Sequence, residues 1–225
     1  MGAIKKMKIY GIDHGDKRCG ISSANEILRI SVPKDTVEKE NLLNYLQNEK
    51  INSSDTLVFG MPLSMSGRYS TQTYNVINEA LKIKDILKCK VFLVDERLTS
   101  KILFNQVKGK VNSKKVKNKK DQNSSSLILS TYLSNPNSGI ELINKEVYKI
   151  ELKDQNILIY DIAIENLSTE CDLFINDPWI FWYYFNKGFK STNKLEDIKV
   201  EYNTIVKNSN IELLNELKAK SIINL

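Results

Sequence analysis

Ile9-Tyr10-Gly11-Ile12-Asp13-His14-Gly15-Asp16-Lys17-Arg18-Cys19-Gly20 is an apolar run that ends on a carboxylate and turns at once into a basic pair. Residues 7–13 alternate and run apolar into Asp13, as a buried strand would, and the Gly15-Asp16 turn sends the chain back along 19–23. After Ala24-Asn25-Glu26 a third run, 27–32, completes an expected antiparallel three-strand meander. Asp13 therefore stands at the end of a buried strand, a position from which a side chain can serve chemistry.

The pattern continues in α/β order. Residues 38–49 read as a helix with Leu42, Leu43 and Leu46 on one side, and Thr56-Leu57-Val58-Phe59 is a short strand ended by Gly60-Met61-Pro62. Over 69–88, Val76, Ala80, Ile83 and Leu87 recur at helical spacing, followed by a strand at Lys90–Val94 and a helix from Thr99 to about Val107. Residues 108–120 hold seven lysines and few apolar anchors, the composition of a basic loop. Asp121–Leu133 reads as a helix, with Ile128 and Tyr132, and Leu129 and Leu133, at i,i+4. The expected class is α/β, a mixed sheet flanked by helices.

Ser134-Asn135-Pro136-Asn137-Ser138-Gly139 has a linker's composition, so the expected division is a domain at 1–134, a linker at 135–140 and a small α+β extension at 141–225. In the extension, Val147–Leu152 and Ile157–Ile164 alternate around Asp154-Gln155-Asn156, suggesting a hairpin. Leu195, Ile198, Tyr202 and Ile205 suggest a helix, and Ser209-Asn210-Ile211-Glu212 a capping box opening another. The cluster Trp179, Phe181, Trp182, Tyr183, Tyr184, Phe185 and Phe189 reads as the core of this small domain.

Three acids stand in separate settings: Asp13, Glu96 after Val91-Phe92-Leu93-Val94-Asp95, and Asp121 at the start of a helix. Singly, Asp13 reads equally as a turn residue, Glu96 as half of an ion pair with Arg97, and Asp121 as a simple N-cap. Together they suit divalent cations, since Mg²⁺ takes hard oxygen ligands and keeps several waters. Two such ions can activate water and clamp a scissile phosphate without a side-chain nucleophile. Three converging negative charges are unfavourable without metal, so this reading implies Mg²⁺ or Mn²⁺.

Charge follows the same division. Residues 1–140 hold 23 Lys and Arg against 13 Asp and Glu, a net +10, whereas 141–225 hold 10 against 14, a net −4. The basic part suits a polyanion, and Lys17, Arg18, Arg97, Lys114, Lys115 and Lys117 are the candidate phosphate contacts. Cys19, Cys89 and Cys171 lack CxxC spacing and fit a reducing compartment. One histidine leaves little for a zinc hydrolase or a Ser-His-Asp triad. With no apolar run near the ~18 residues a bilayer needs, the expected setting is cytoplasmic, with no membrane partner.

Four motifs resemble the YqgF-like family of Holliday junction resolvases and pre-16S ribosomal RNA nucleases, in the ribonuclease H-like superfamily. They are Asp13-x-Gly15-x-x-Arg18-x-Gly20, then Gly60-x-Pro62-Leu63-x-x-x-Gly67, then Asp95 through Thr99, then the basic stretch and helix over 114–133. The family usually has two alanines where Ser124 and Ser125 stand, and 140–225 has no counterpart in its compact members. The resemblance implies a ribonuclease H-like fold with Asp13, Glu96 and Asp121 as catalytic and metal-holding acids. It implies a metal-dependent nuclease on precursor ribosomal RNA or branched DNA, in contact with the ribosome or its precursors, as a monomer or homodimer. A non-catalytic nucleic-acid-binding module is the competing class; intact acids speak against it.

Overall fold

A computed structural model describes residues 7–25, 29–98, 124–167 and 170–225, and the chain divides into two compact units. The first comprises residues up to Leu63 together with Asn75–Leu142; the second comprises Ser64–Tyr74 with Ile143–Leu225.

In the first unit, β1 (Lys8–His14), β2 (Arg18–Asn25) and β3 (Val32–Glu38) form the meander. Then come α1 (Leu42–Asn48), β4 (Thr56–Met61), α2 (Thr71–Leu87), whose residues up to Tyr74 are assigned to the second unit, and β5 (Lys90–Asp95). After the undescribed residues, α3 (Ser124–Ser134) leads into β6 (Gly139–Glu141). The sheet order is β3-β2-β1-β4-β5-β6, with β4 and β5 parallel to β1 and the other pairings antiparallel. This is the mixed sheet of an α/β fold that the sequence leads one to expect.

Strand alternation assigns residues to faces. Ile9, Val58 and Val94 pack with Ile128, Leu129 and Leu133 of α3. On β1 the same parity carries Ile9, Gly11 and Asp13, so Asp13 shares the α3 face and His14 the opposite one. At Gly11, α3 comes close to the sheet. A Cβ there would lie 2.5 Å from Ser22 Oγ, 2.6 Å from Leu129 Cβ and 2.6 Å from the Ser125 carbonyl oxygen. Ser22 Oγ donates to that carbonyl at 2.9 Å, tying β2 to the first turn of the helix.

Several local expectations are corrected. The third strand is Val32–Glu38 rather than the expected 27–32, of which residues 27 and 28 lie outside the described residues; most of the strand is exposed, so an edge strand containing Pro33 carries no hydropathy signal. Residues 135–140 are not a free linker: Pro136–Ser138 form a 3₁₀ turn, and Gly139–Glu141 pair with β5. The expected helix over Thr99–Val107 lies outside the described residues.

The second unit contains β7 (Val147–Tyr148), β8 (Ile157–Tyr160), β9 (Ala163–Ile164), β10 (Asp172–Phe174), α4 (Pro178–Asn186), β11 (Glu201–Lys207) and β12 (Lys218–Asn224). The expected hairpin does not form. β7 pairs with β9, and β8 enters a sheet of order β10-β8-β11-β12, all in parallel. All of Ile157–Tyr160 is buried, as in a central parallel strand. The helix expected around Leu195–Ile205 is only a 3₁₀ turn, Leu195–Asp197; Thr204-Ile205-Val206 are β-branched and buried in β11. The capping-box residues form a turn ahead of β12 rather than a helix.

The aromatic cluster builds α4, whose Trp179, Phe181 and Tyr184 are buried. Asp177 caps it, accepting from the backbone N–H groups of Trp179 (2.8 Å) and Ile180 (3.1 Å). Tyr184 accepts from Ile164 N at 2.9 Å and donates to the Ile162 carbonyl at 3.0 Å, so its buried hydroxyl is satisfied. Among the described residues, no helix is long and apolar enough to cross a membrane.

Gly11→Ala should cost about 1–3 kcal/mol of stability, because the added methyl meets backbone and a helix Cβ rather than a yielding side-chain tip. Urea unfolding measures this; an unchanged midpoint would contradict the close approach of α3.

Candidate active site

The site lies where β1, β4 and β5 end on the α3 side of the sheet. Asp13 is the penultimate residue of β1, and Ile12 is paired with Phe59, so the next residue of β4, Gly60, lies alongside Asp13. Gly60 in turn pairs with Val94, and Glu96 follows β5 with the parity of Val94. A Cβ on Gly60 would stand 2.5 Å from Glu96 Oε1 and 2.5 Å from Ile128 Cδ1. The missing side chain at residue 60 is therefore what seats Glu96. In the fold this glycine makes room for a carboxylate.

The electrostatics show that the two acids share one place. Burial pushes the Glu96 carboxyl from its ordinary 4.5 up to about 7, with the negative charges of Asp13 and then Asp95 adding to the effect. Burial also raises Asp13, opposed by a hydrogen bond from the Ser124 side chain at the start of α3. Ser124 stands where the family pattern has alanine; in this chain its hydroxyl supports Asp13.

Asp95 and Glu96 have different fates. Arg97 grips Asp95 through Nη2–Oδ2 at 2.7 Å and Nε–Oδ1 at 3.0 Å, and its backbone N–H donates to the same carboxylate at 2.9 Å. The ion pair entertained for Glu96 with Arg97 is thus made by Asp95.

Of the other sequence candidates, Lys17 and Arg18 are exposed at the turn after β1, and Arg18 Nε lies 3.1 Å from Glu38 Oε1. His14 is buried on the opposite face, its pKa lowered by burial and by Lys39. Asp121, Lys114, Lys115 and Lys117 lie outside the described residues. Among the described residues, no group of three acidic, histidine or cysteine side chains gathers in a metal-binding arrangement. Asp13 and Glu96 are the pair that the fold brings together.

Fold and site define an α/β protein with two acidic residues at the ends of the central strands. Comparison with known proteins is specific: the profile of the family RuvX, described as Holliday junction resolvase, matches residues 7–135, and the chain belongs to this family. A Thermotoga maritima protein named "Putative pre-16S rRNA nuclease" is 26% identical over 92% of this chain and 89% of its own length. A Rickettsia rickettsii protein of the same name is 32% identical over 58% of this chain and 88% of its own. Among solved structures, T. thermophilus RuvC in complex with a Holliday junction substrate aligns at a TM-score of 0.37 and 11% identity, covering 60% of this chain and 99% of that one.

The Glu96 shift fixes a pH dependence of stability. A carboxyl whose pKa is higher folded than unfolded contributes stability below about 4.5 that is lost as pH rises through about 7. Metal-free Glu96→Gln should therefore exceed the native protein in stability by roughly 2–3 kcal/mol at pH 8, with the gap closing below pH 5. Thermal unfolding in chelator at the two pH values checks this; a pH-independent gap would contradict the shared burial.

Proposed function

We propose that this protein is a divalent-metal-dependent nuclease that hydrolyses phosphodiester bonds, with the 5′ end of precursor 16S ribosomal RNA as its substrate. The observation that carries the reading is the meeting of Asp13 and Glu96 at the ends of β1 and β5, each with its pKa raised by burial. Two hard oxygen donors held together at an energetic cost fit a divalent cation, which would relieve their repulsion. Mg²⁺ or Mn²⁺, when bound, supplies activation of the attacking water and neutralisation of charge on the scissile phosphate.

The chain's own part is to hold and aim. Asp13 is fixed by β1 and by the Ser124 hydrogen bond, and Glu96 by the space at Gly60. Asp121, three residues ahead of α3 in the sequence, is the third acid. Lys17, Arg18, Arg97, Lys114, Lys115 and Lys117 hold substrate phosphates, so binding weakens steeply with salt. RNA is favoured by the names of the relatives, including the Thermotoga maritima protein that aligns over most of both chains. The description of the family itself favours a second reading, cleavage of four-way DNA junctions, which needs two sites in a symmetric dimer.

Asp13→Asn, Glu96→Gln and Asp121→Asn should each lower cleavage by 100-fold or more, on the order of 3 kcal/mol in the barrier, while the fold persists. The decisive assay sets precursor 16S RNA beside a synthetic junction, each with Mg²⁺, Mn²⁺ or chelator. Cleavage of the RNA alone supports the proposal and cleavage of the junction alone the second reading. Metal-independent binding with no cleavage of either would reject both.

A further inference from the structure

In the second unit, β8 is an inner strand of the parallel sheet β10-β8-β11-β12. The chain leaves β8 for β10 on one side and leaves β11 for β12 on the other. Right-handed crossovers send two such departures to opposite faces, which opens a crevice between the carboxyl ends of the two strands. Open parallel sheets take their ligands at this place.

A cavity of about 270 Å³ lies there. Tyr160 pairs with Lys207, so the residues that follow, Asp161 and Asn208, stand side by side, and both line the cavity. Ile162, Ala163 and Ile180 of α4 give it a buried apolar wall, and Tyr148 adds a half-buried ring. The volume is below the roughly 300–1,000 Å³ of sites for drug-sized molecules, so it suits one small ligand.

Asp161 is only 9% exposed and takes φ +50°, a left-handed conformation that few residues other than glycine adopt. Its Oδ1 accepts from the backbone N–H groups of Asn176 at 2.7 Å and Asp177 at 2.8 Å, and the Asn176 side chain also bonds to it. These bonds fix the carboxylate in place. An ionised carboxylate only accepts, with room for about four donors, so Asp161 keeps capacity for hydroxyl or amino groups in the cavity.

Anions do not suit the site. A helix N-terminus such as that of α4 ordinarily attracts phosphate. Here Asp177 fills it, accepting from Trp179 N and Ile180 N. Lys145 is engaged with Asp177 Oδ2 at 2.9 Å. In the lining, the carboxylates of Glu146, Asp161 and Asp177 face the single ammonium of Lys145.

We propose that this cavity binds a nucleoside without its phosphate groups, the base against Tyr148 and the apolar wall and the sugar hydroxyls donating to Asp161. A flat ring fits an apolar wall with an aromatic side chain, hydroxyls fit an acceptor, and the absence of phosphate fits the charge. A small organic amine meets the charge equally but leaves the apolar wall without a ring to cover it. The site lies wholly within the second unit and does not depend on the nuclease reading.

The test is calorimetry on the full-length protein with adenosine, guanosine, cytidine and uridine, each beside its 5′-monophosphate, and with spermidine. At least one nucleoside should bind, and its monophosphate at least tenfold more weakly. On binding, amide NMR signals should move at 161–163 and 208–211. Tyr148→Ala should weaken binding roughly tenfold through lost stacking. Asp161→Asn keeps an acceptor for the two backbone N–H groups but removes the charge, so it should narrow the preference for nucleoside over monophosphate. If Asp161→Asn fails to fold, Glu146→Gln, at the exposed rim, carries the same expectation. The proposal is overturned if no nucleoside binds at millimolar concentration, or if only spermidine does. Monophosphates that bind as tightly as nucleosides overturn it too, as do signals that move only elsewhere in the chain.

Discussion

The structure depends on holding two carboxylates together where water is partly excluded. Neither Asp13 nor Glu96 gains from this by itself, since burial raises both and Asp13 raises Glu96 further. What holds them is parity. Ile9 and Val94 are fixed in the apolar cluster under α3, and the two-residue alternation of a strand then dictates where Asp13 and Glu96 emerge. A slip of β1 by one residue would exchange Asp13 with His14 and bury the wrong side chain throughout. Apolar burial thus offsets an electrostatic cost located at the end of the same strands.

The sequence displays this arrangement because its signals are local and strong. Apolar runs ending on Asp13 and just before Glu96 locate two strand ends, and the turn at Gly15-Asp16 makes the first strand fold back. Legibility fails where burial and pattern separate. β3 is a polar edge strand, so the run at 27–32 misleads. Tyr202 and Ile205 lie at helical spacing, yet they belong to a β-branched strand that pairs in parallel with β8, remote in sequence, and with β12. Parallel pairing leaves no turn between partners, which removes the punctuation that a hairpin supplies. The role of Gly60 is equally hidden, because it consists of an absent side chain and a distant Glu96 Oε1.

The second unit departs from a linear reading in another way. Its core joins Leu158, Tyr160, Phe174, Tyr202, Ile205 and Leu217, all from the C-terminal part of the chain. Ser64–Tyr74 nevertheless belongs to the same unit, although it follows β4 in sequence. A boundary placed by composition divides a chain once, whereas contacts allow one unit to borrow a segment from within another's stretch of sequence. The Thermotoga maritima relative aligns over 92% of this chain, well past residue 135, so the second unit is not peculiar to this protein.

The neighbouring acids Asp95 and Glu96 show how finely the site is partitioned. Asp95 closes β5 and is neutralised by the Arg97 fork, while Glu96, one residue on, turns to the α3 face. Exchanging their roles would place the arginine's charge beside Asp13 and satisfy locally the repulsion that now favours a cation. The longer reach of glutamate matters too, because residue 96 lies beyond the last ladder pair, Met61 with Asp95, and must lean back over Gly60. The run Asp95-Glu96-Arg97 is therefore one device: its arginine satisfies the acid that is not needed at the site and leaves its glutamate to the acid that is.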